Sequence, residues 1–251
     1  MAEIITAKHT SESGHWYQQD GTPAYTIIGK NGNERPTTLR DARKLALVPS
    51  VTTIIGMGNK PGLTNWLIDQ HIMSALTCHH IEGETNDELI ARIKQDAQEQ
   101  AKKAREKGTQ IHAWVQNYFE GKQLPDEALQ YCLSARDIIS NLDISSDLWI
   151  CEKSFAYDGY GGKCDLHTDK HVIDIKTTDK PIADLKTWDE HAMQIAAYRH
   201  GLGIPNTSGG ILYINTIDAS ARLVMIDESD IRKGHGMFMA LKDYWYAKTG
   251  L

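Results

Sequence analysis

The chain has 251 residues, 41% hydrophobic and 24% charged, with seven prolines and no low-complexity tract, a balance that excludes disordered, fibrous and collagen-like classes. No apolar run approaches the roughly 20 residues that cross a bilayer, and the opening MAEIITAKHT lacks a basic segment followed by an apolar one, so no membrane association and a cytoplasmic location are expected. A net charge of −6, from 27 basic against 33 acidic residues, excludes a protein that coats nucleic acid by bulk charge and leaves room for a local basic groove.

The stretch HWYQQDGTPAYTII sets aromatic and β-branched residues on both sides of Asp20-Gly21, a pair suited to a tight turn, and predicts a hairpin over residues 14–30. The polar NGNERPTTLRDARK that follows reads as a loop. VPSVTTIIG is a short strand or turn leading into a helix over NWLIDQHIMSALTCHH, where Trp66, Ile68, Ile72, Met73 and Leu76 recur at helical spacing. Residues 1–84 are therefore expected to form an N-terminal β/α lobe packed on a core spanning 85–251. Strong helix formers fill Thr85 to Lys107, with Thr85 or Asn86 as cap and Gly108 where the helix would end. Lys102, Lys103, Arg105 and Lys107 in its last turns either complement the helix dipole or contact phosphate. Beyond Gly108, IHAWVQNYFEG carries a second helix with an apolar stripe, and a third runs from Asp126 to Asn141.

The period then changes. WICEKSFAYD reads as a strand, GYGG as a glycine-rich bend, and GKCDLHTDKHVIDIKTTD as two strands around a turn at Asp169-Lys170. Thr187 is placed to cap a helix over WDEHAMQIAAYRHGLG, which stops at Gly201 or Gly203. GGILYINT and ARLVMID are two more strands, joined across Ile217 to Ser220, before a terminal helix from Glu228 to Lys248. This order predicts a mixed α/β core. Cys78, Cys132, Cys151 and Cys164 form no CxxC pair, which argues against a zinc ribbon or redox dithiol and predicts small buried hydrophobes.

Chemistry concentrates in GGKCDLHTDKHVIDIKTT. A hairpin symmetric about Asp169-Lys170 places residues summing to 339 opposite each other, so Asp165 faces Asp174 with Cβ atoms about 5 Å apart. Two like charges at that separation repel, and a hard divalent cation with oxygen ligands compensates directly. Strand alternation turns Ile173 and Ile175 to the core and puts Asp174 and Lys176 together on the other face. A cation that acidifies water beside an ammonium that orients it suits phosphodiester hydrolysis. A slip of one residue would separate the aspartates, and the bland alternative is a polar surface hairpin. On the same reasoning, Asp174→Asn is expected to relieve repulsion and stabilise the metal-free fold.

His112 borders the apolar stripe of its helix, Gln194 and Tyr198 share a helical face four residues apart, and Glu152 lies on the strand before the glycines. Singly, each is more often structural: a satisfied core histidine, a packed pair, a solvent-facing acid. As an ordered set, GTQIH, WICEKSF, GGKCDL, VIDIKTT and MQIAAY resemble the PD-(D/E)xK nuclease superfamily in its RecB-like branch, over roughly residues 105 to 200, with VPSVTTIIG also similar to a segment found in some relatives. The resemblance implies a restriction-endonuclease-like fold with a central mixed β-sheet flanked by helices. It further implies that His112, Asp165, Asp174 and the carbonyl of Ile175 ligate Mg²⁺ or Mn²⁺, that Lys176 orients or activates the attacking water, and that Glu152 supports the metal. Gln194 and Tyr198 match QxxxY, which positions the lysine or contacts DNA, and Thr177 would offer a hydroxyl to the site. Some members hold an iron–sulphur cluster with three cysteines near the C-terminus, but no cysteine follows Cys164 here, so none is expected.

The function these features imply is a metal-dependent exonuclease acting on DNA with free ends in recombination, repair or degradation. No helix-turn-helix, zinc finger or GxxxxGK[ST] loop is present in the sequence to add sequence readout or an ATP motor. A phage or mobile-element setting is implied, in the host cytoplasm, with a recombination or single-strand-binding protein as the partner class. The alternative from another class is a DNA-end-binding or assembly protein with the same fold and no turnover. A carboxylate-pair glycosidase built on Asp165 and Asp174 would leave Lys176 and His112 without roles.

Overall fold

The N-terminal segment wraps onto the sheet through four short strands and two short helices: β1 (Trp16–Tyr17), β2 (Thr26–Ile28), β3 (Glu34–Pro36), α1 (Leu39–Leu45), β4 (Val48–Pro49) and α2 (Val51–Ile55). The computed structural model describes residues 14–142 and 148–251, so the first 13 residues of the expected N-terminal lobe lie outside the described residues. The turn expected at Asp20-Gly21 is present, with Gly21 at φ +88° and its N–H donating to the Gln18 carbonyl. Strand pairing beyond it departs from the expected hairpin. Across the turn the backbone forms an isolated bridge at Tyr17 and Pro23, not a two-stranded hairpin; β1 pairs with β4, and β2 pairs with β3. The expected loop over 31–44 is instead the second half of that β2–β3 hairpin followed by α1. Thr38 and Asp41 close a reciprocal capping box at the start of α1, which the acidic residue three positions after a threonine encodes.

Helix α3 (Pro61–Thr77) is followed by α4 (Asn86–Phe119), whose N-terminus is fixed by a capping box between Thr85 and Glu88. Helix α4 does not stop at Gly108 but runs through it for 34 residues. Gly108 serves close approach, not termination: a Cβ there would lie 2.6 Å from Thr177 Oγ1. Lys102, Lys103, Arg105 and Lys107 are consequently exposed in mid-helix, too far from a terminus for the dipole to explain them. Helix α5 (Leu129–Ser140) follows.

The central sheet has the order β5 (Ile150–Tyr157), β6 (Tyr160–His167), β7 (His171–Thr178), β8 (Ser208–Asn215), β9 (Ala221–Ile226). Only the β7–β8 pair is parallel, which requires the crossover through α6 (Asp189–Gly201). The bend expected at GYGG sits one step earlier, at Asp158-Gly159 with φ +44° and +79°, and Tyr160–Gly162 belong to β6. Helix α6 is capped by Trp188, not by the expected Thr187. The terminal helix is α7 (Glu228–Thr249). This is a mixed α/β fold, a five-stranded mixed sheet flanked by helices, compatible with a restriction-endonuclease-like core.

Both sheet faces are covered. Val172, Ile211 and Tyr213 pack with Trp16, Ile54, Ile195, Phe238 and Trp245 from the N-terminal segment, α2, α6 and α7. Ile173, Ile175, Leu212 and Ile214 pack on the opposite face with Ile111, Val115, Cys132 and Ile139 of α4 and α5. The N-terminal segment thus completes the core. By contrast, most of α3 is surface, with Leu63, Ile68, Ile72, Met73 and Leu76 exposed. Of the four free cysteines, Cys132 and Cys164 are buried as expected, whereas Cys78 and Cys151 are half-buried.

Candidate metal centre

Strands β6 and β7 pair through Leu166↔Ile173 and His167↔Val172, the register expected from the turn, but the ladder ends there. The next residues on each side are Asp165 and Asp174. They are not ladder partners; the Asp165 carboxylate reaches across and accepts the Ile175 N–H at 2.7 Å. Strand β7 meanwhile remains bonded to β8 along its whole length. The two strands therefore fork just past the turn, and the fork is lined by acids.

A second distortion faces the first. Glu152 lies opposite Asp165, between the pairs Cys151↔Leu166 and Lys153↔Cys164, and adopts φ +52°, a left-handed conformation rare for a residue with a side chain. Side-chain alternation reverses at this point: Cys164 packs on one face of the sheet and Leu166 on the other, although they are two residues apart. The kink turns Glu152 toward Asp165. Strain of this kind persists only where surrounding structure holds it, and here the β5–β6 ladder does so on both sides.

Helix α4 supplies the third group. His112 Nε2 lies 2.6 Å from the Ile175 carbonyl oxygen and 3.8 Å from Asp165 Oδ2. The close packing at Gly108, one turn earlier, brings this helix against β7. His112, Glu152 and Asp165 each offer one ligand atom within 4.8 Å of the others, a cluster able to hold a divalent metal.

Asp174 belongs to an adjoining network. Its Oδ1 accepts from Gln194 Nε2 at 2.7 Å, while Oδ2 stands 2.7 Å from Lys176 Nζ as an ion pair without hydrogen-bond alignment. Gln194 Oε1 accepts from Lys176 Nζ at 3.1 Å, and Gln194 Nε2 also donates to the Tyr198 hydroxyl at 2.9 Å. One amide thus turns its oxygen to the cation and its nitrogen to the anion. The expected facial sharing of Asp174 and Lys176 and the four-residue spacing of Gln194 and Tyr198 converge here. Thr177, also singled out, packs its hydroxyl against Gly108.

Burial, and then the charge of Asp174, raise the Asp165 carboxyl above its usual range against the pull of His112 and Lys176. Burial lowers the Lys176 ammonium, but Asp174 and Asp165 outweigh it and leave the group raised, hence protonated at neutral pH. Burial and the same two carboxylates push the Tyr198 phenol far upward, so it stays a neutral hydroxyl. The fit to a cation rests on oxygens with spare acceptor capacity. Glu152 Oε2 and Asp174 Oδ2 are buried and, among the described residues, each meets only a misaligned ammonium, that of Lys163 or Lys176.

Lys163, which pairs with Glu152, was not anticipated. Its signal was its place in GGKCDL two residues before Asp165, where strand alternation puts the two on one face.

No protein family model matches the sequence, and no curated protein matches it. Among solved structures, a "Putative exonuclease" from Eubacterium rectale aligns over 57% of this chain and 68% of its own, with a TM-score of 0.35 and 14% identity. The protein SSO0001 aligns over 47% of this chain and 61% of its own, with a TM-score of 0.24 and 20% identity. Likeness at these scores transfers no property to this chain.

Proposed function

We propose that the chain is a divalent-metal-dependent DNA nuclease of the RecB-like PD-(D/E)xK type, acting as an exonuclease on DNA with free ends. The observation that carries this reading is the forked β6–β7 ladder, where His112, Glu152 and Asp165 gather within 4.8 Å beside the Asp174–Lys176 pair. On this reading Asp165, Asp174, His112 and the Ile175 carbonyl hold Mg²⁺ or Mn²⁺, with Glu152 as a further acid. Carboxylate and carbonyl oxygens suit Mg²⁺ and Mn²⁺ alike. When bound, the metal would acidify a water and neutralise charge building on the phosphate.

The chain's own residues do the rest. Lys176, placed beside Asp174 and Gln194, would orient or activate the attacking water and steady the phosphate. Gln194 holds that ammonium from one side and Asp174 from another, and Tyr198 fixes the amide. Without a metal, His112 Nε2 donates to the Ile175 carbonyl and ties the helix to the strand that carries Asp174 and Lys176; with a metal bound, both atoms would turn to the cation instead of to each other. The exposed Lys102, Lys103, Arg105 and Lys107, earlier on the same helix, offer contacts to the phosphate backbone.

The test is degradation of end-labelled linear and closed-circular DNA in Mg²⁺, Mn²⁺ and EDTA by wild type and Lys176→Ala. Cation-dependent loss of linear DNA that Lys176→Ala abolishes is the expected result. Binding of DNA ends without cleavage by the wild type under any cation would instead favour an end-binding protein of the same fold.

A further inference from the structure

Beside the metal cluster the N-terminal segment builds an aromatic stack that the nuclease chemistry leaves unused. Tyr17 lies on Gly161 of β6, where a Cβ would come within 2.6 Å of the tyrosine ring; only glycine admits it. Tyr25 meets Tyr17 edge to face at 5.5 Å, and their hydroxyls are 2.6 Å apart. His15 then stacks on Tyr25 with ring centroids 4.6 Å apart and planes 29° from parallel. Two residues beyond Gly161, Lys163 pairs with Glu152 of the metal cluster. Gly161 and Lys163, two residues apart on β6, share one face of the strand, so the aromatic stack and the Lys163–Glu152 pair stand on the same side of it.

Among the described residues the outermost ring is open. His15 is exposed and half-buried Tyr25 covers one of its faces; among the described residues no other ring stacks on it. Desolvation of the packed face and the charge of Lys163 both lower its pKa, so the imidazole is neutral at pH 7 and offers a π surface without a charge of its own. Tyr17 and Tyr25 brace it from below, which keeps the ordering cost of stacking small. A cation next to a rigid aromatic platform matches the pattern by which single strands are held: phosphate on the ammonium, base on the ring. In a duplex the base faces are already occupied by their neighbours, so the platform suits an unpaired nucleotide.

We propose that His15, supported by Tyr25 and Tyr17, stacks an unpaired base of single-stranded DNA while Lys163 meets the adjoining phosphate, making this platform the determinant of strand preference. The proposal rests on the nuclease reading of the neighbouring centre. The platform is a positioning element, since it touches substrate away from the bond that breaks.

The experiment measures binding of labelled single-stranded dT20, the same chain of abasic linkers, and a blunt duplex, in Mg²⁺, with cleavage suppressed by Lys176→Ala. Adding His15→Ala weakens dT20 binding about tenfold, the loss of one stacked base. It leaves the abasic chain and the duplex unchanged, and His15→Phe restores dT20 binding. The comparison of dT20 with the abasic chain on the His15-containing protein needs no change in the platform, so a folding defect cannot mimic the result. Equal affinity of that protein for dT20 and the abasic chain, or a His15→Ala protein that binds dT20 undiminished, would overturn the proposal. Should wild type still cleave DNA in that case, the nuclease reading survives alone. Absence of both cleavage by wild type and DNA binding by the Lys176→Ala protein would end both readings.

Discussion

Ile175 gives its backbone N–H to the carboxylate of Asp165 at 2.7 Å, in the position where a strand partner's carbonyl would ordinarily accept it. One side chain therefore closes the end of a ladder and faces a metal cluster at once. Because the folded state raises the Asp165 pKa, it binds that proton more tightly than the unfolded chain does. The associated stability is full below the ordinary carboxylate value of 3.8 and is lost as pH rises through the higher folded value. Thermal melts in EDTA from pH 4.5 to 7.5 should show wild type losing stability relative to Asp165→Asn, which keeps an acceptor for Ile175 without the charge. Parallel curves for the two proteins would count against this account.

Asp174→Asn is expected to destabilise the metal-free protein. This reverses the sign that repulsion between facing aspartates suggested. The structure gives Asp174 both a donor amide and an ammonium, and an asparagine nitrogen turned toward Lys176 would set donor against donor. The Lys176 side chain is 36% exposed, so solvent screens part of the loss and about 1–2 kcal/mol is expected. Urea unfolding in EDTA measures it, and a gain in stability would restore the repulsion argument.

Gly108→Ala should lower stability although alanine is the better helix former by about 1 kcal/mol. The new methyl would lie 2.6 Å from Thr177 Oγ1, a short and stiff side chain, and overpacking of this kind costs roughly 1–3 kcal/mol. Thr177→Ala in the same protein should recover most of the loss. A double-mutant cycle by denaturant unfolding reads the coupling directly; additive effects would mean that the two residues do not press on each other.

Millimolar Mg²⁺ or Mn²⁺ should raise the wild-type melting temperature. Saturation at a hundredfold over Kd stabilises by about 2.7 kcal/mol, which for a chain of this size is a rise on the order of 5–10 °C. Replacing His112 by alanine or Glu152 by glutamine should remove most of that rise while leaving the EDTA melts folded. A cation shift that persists undiminished in both variants would place the ion elsewhere.

By itself the sequence determined the alternation of helical and strand periods, the register of the β6–β7 turn, and the residues whose chemistry is distinctive: His112, Glu152, Asp165, Asp174, Lys176, Gln194 and Tyr198. Those features are local, set by side-chain spacing and turn residues within a few positions. Gly108 misled the helix boundary because glycine marks either a terminus or a close approach, and only Thr177, distant in sequence, tells which applies. The tertiary structure alone decided that the ladder stops short of the aspartates, that Glu152 turns left-handed to face Asp165, and that Asp174 is shared among Lys176 and Gln194. It likewise decided that His15 stacks on Tyr25 and that Tyr17 lies on Gly161, two residues from Lys163. These relations arise where separate segments meet, and the energies that set them, hydrogen bonds, ion pairs and packing between distant residues, leave no periodic trace in the chain.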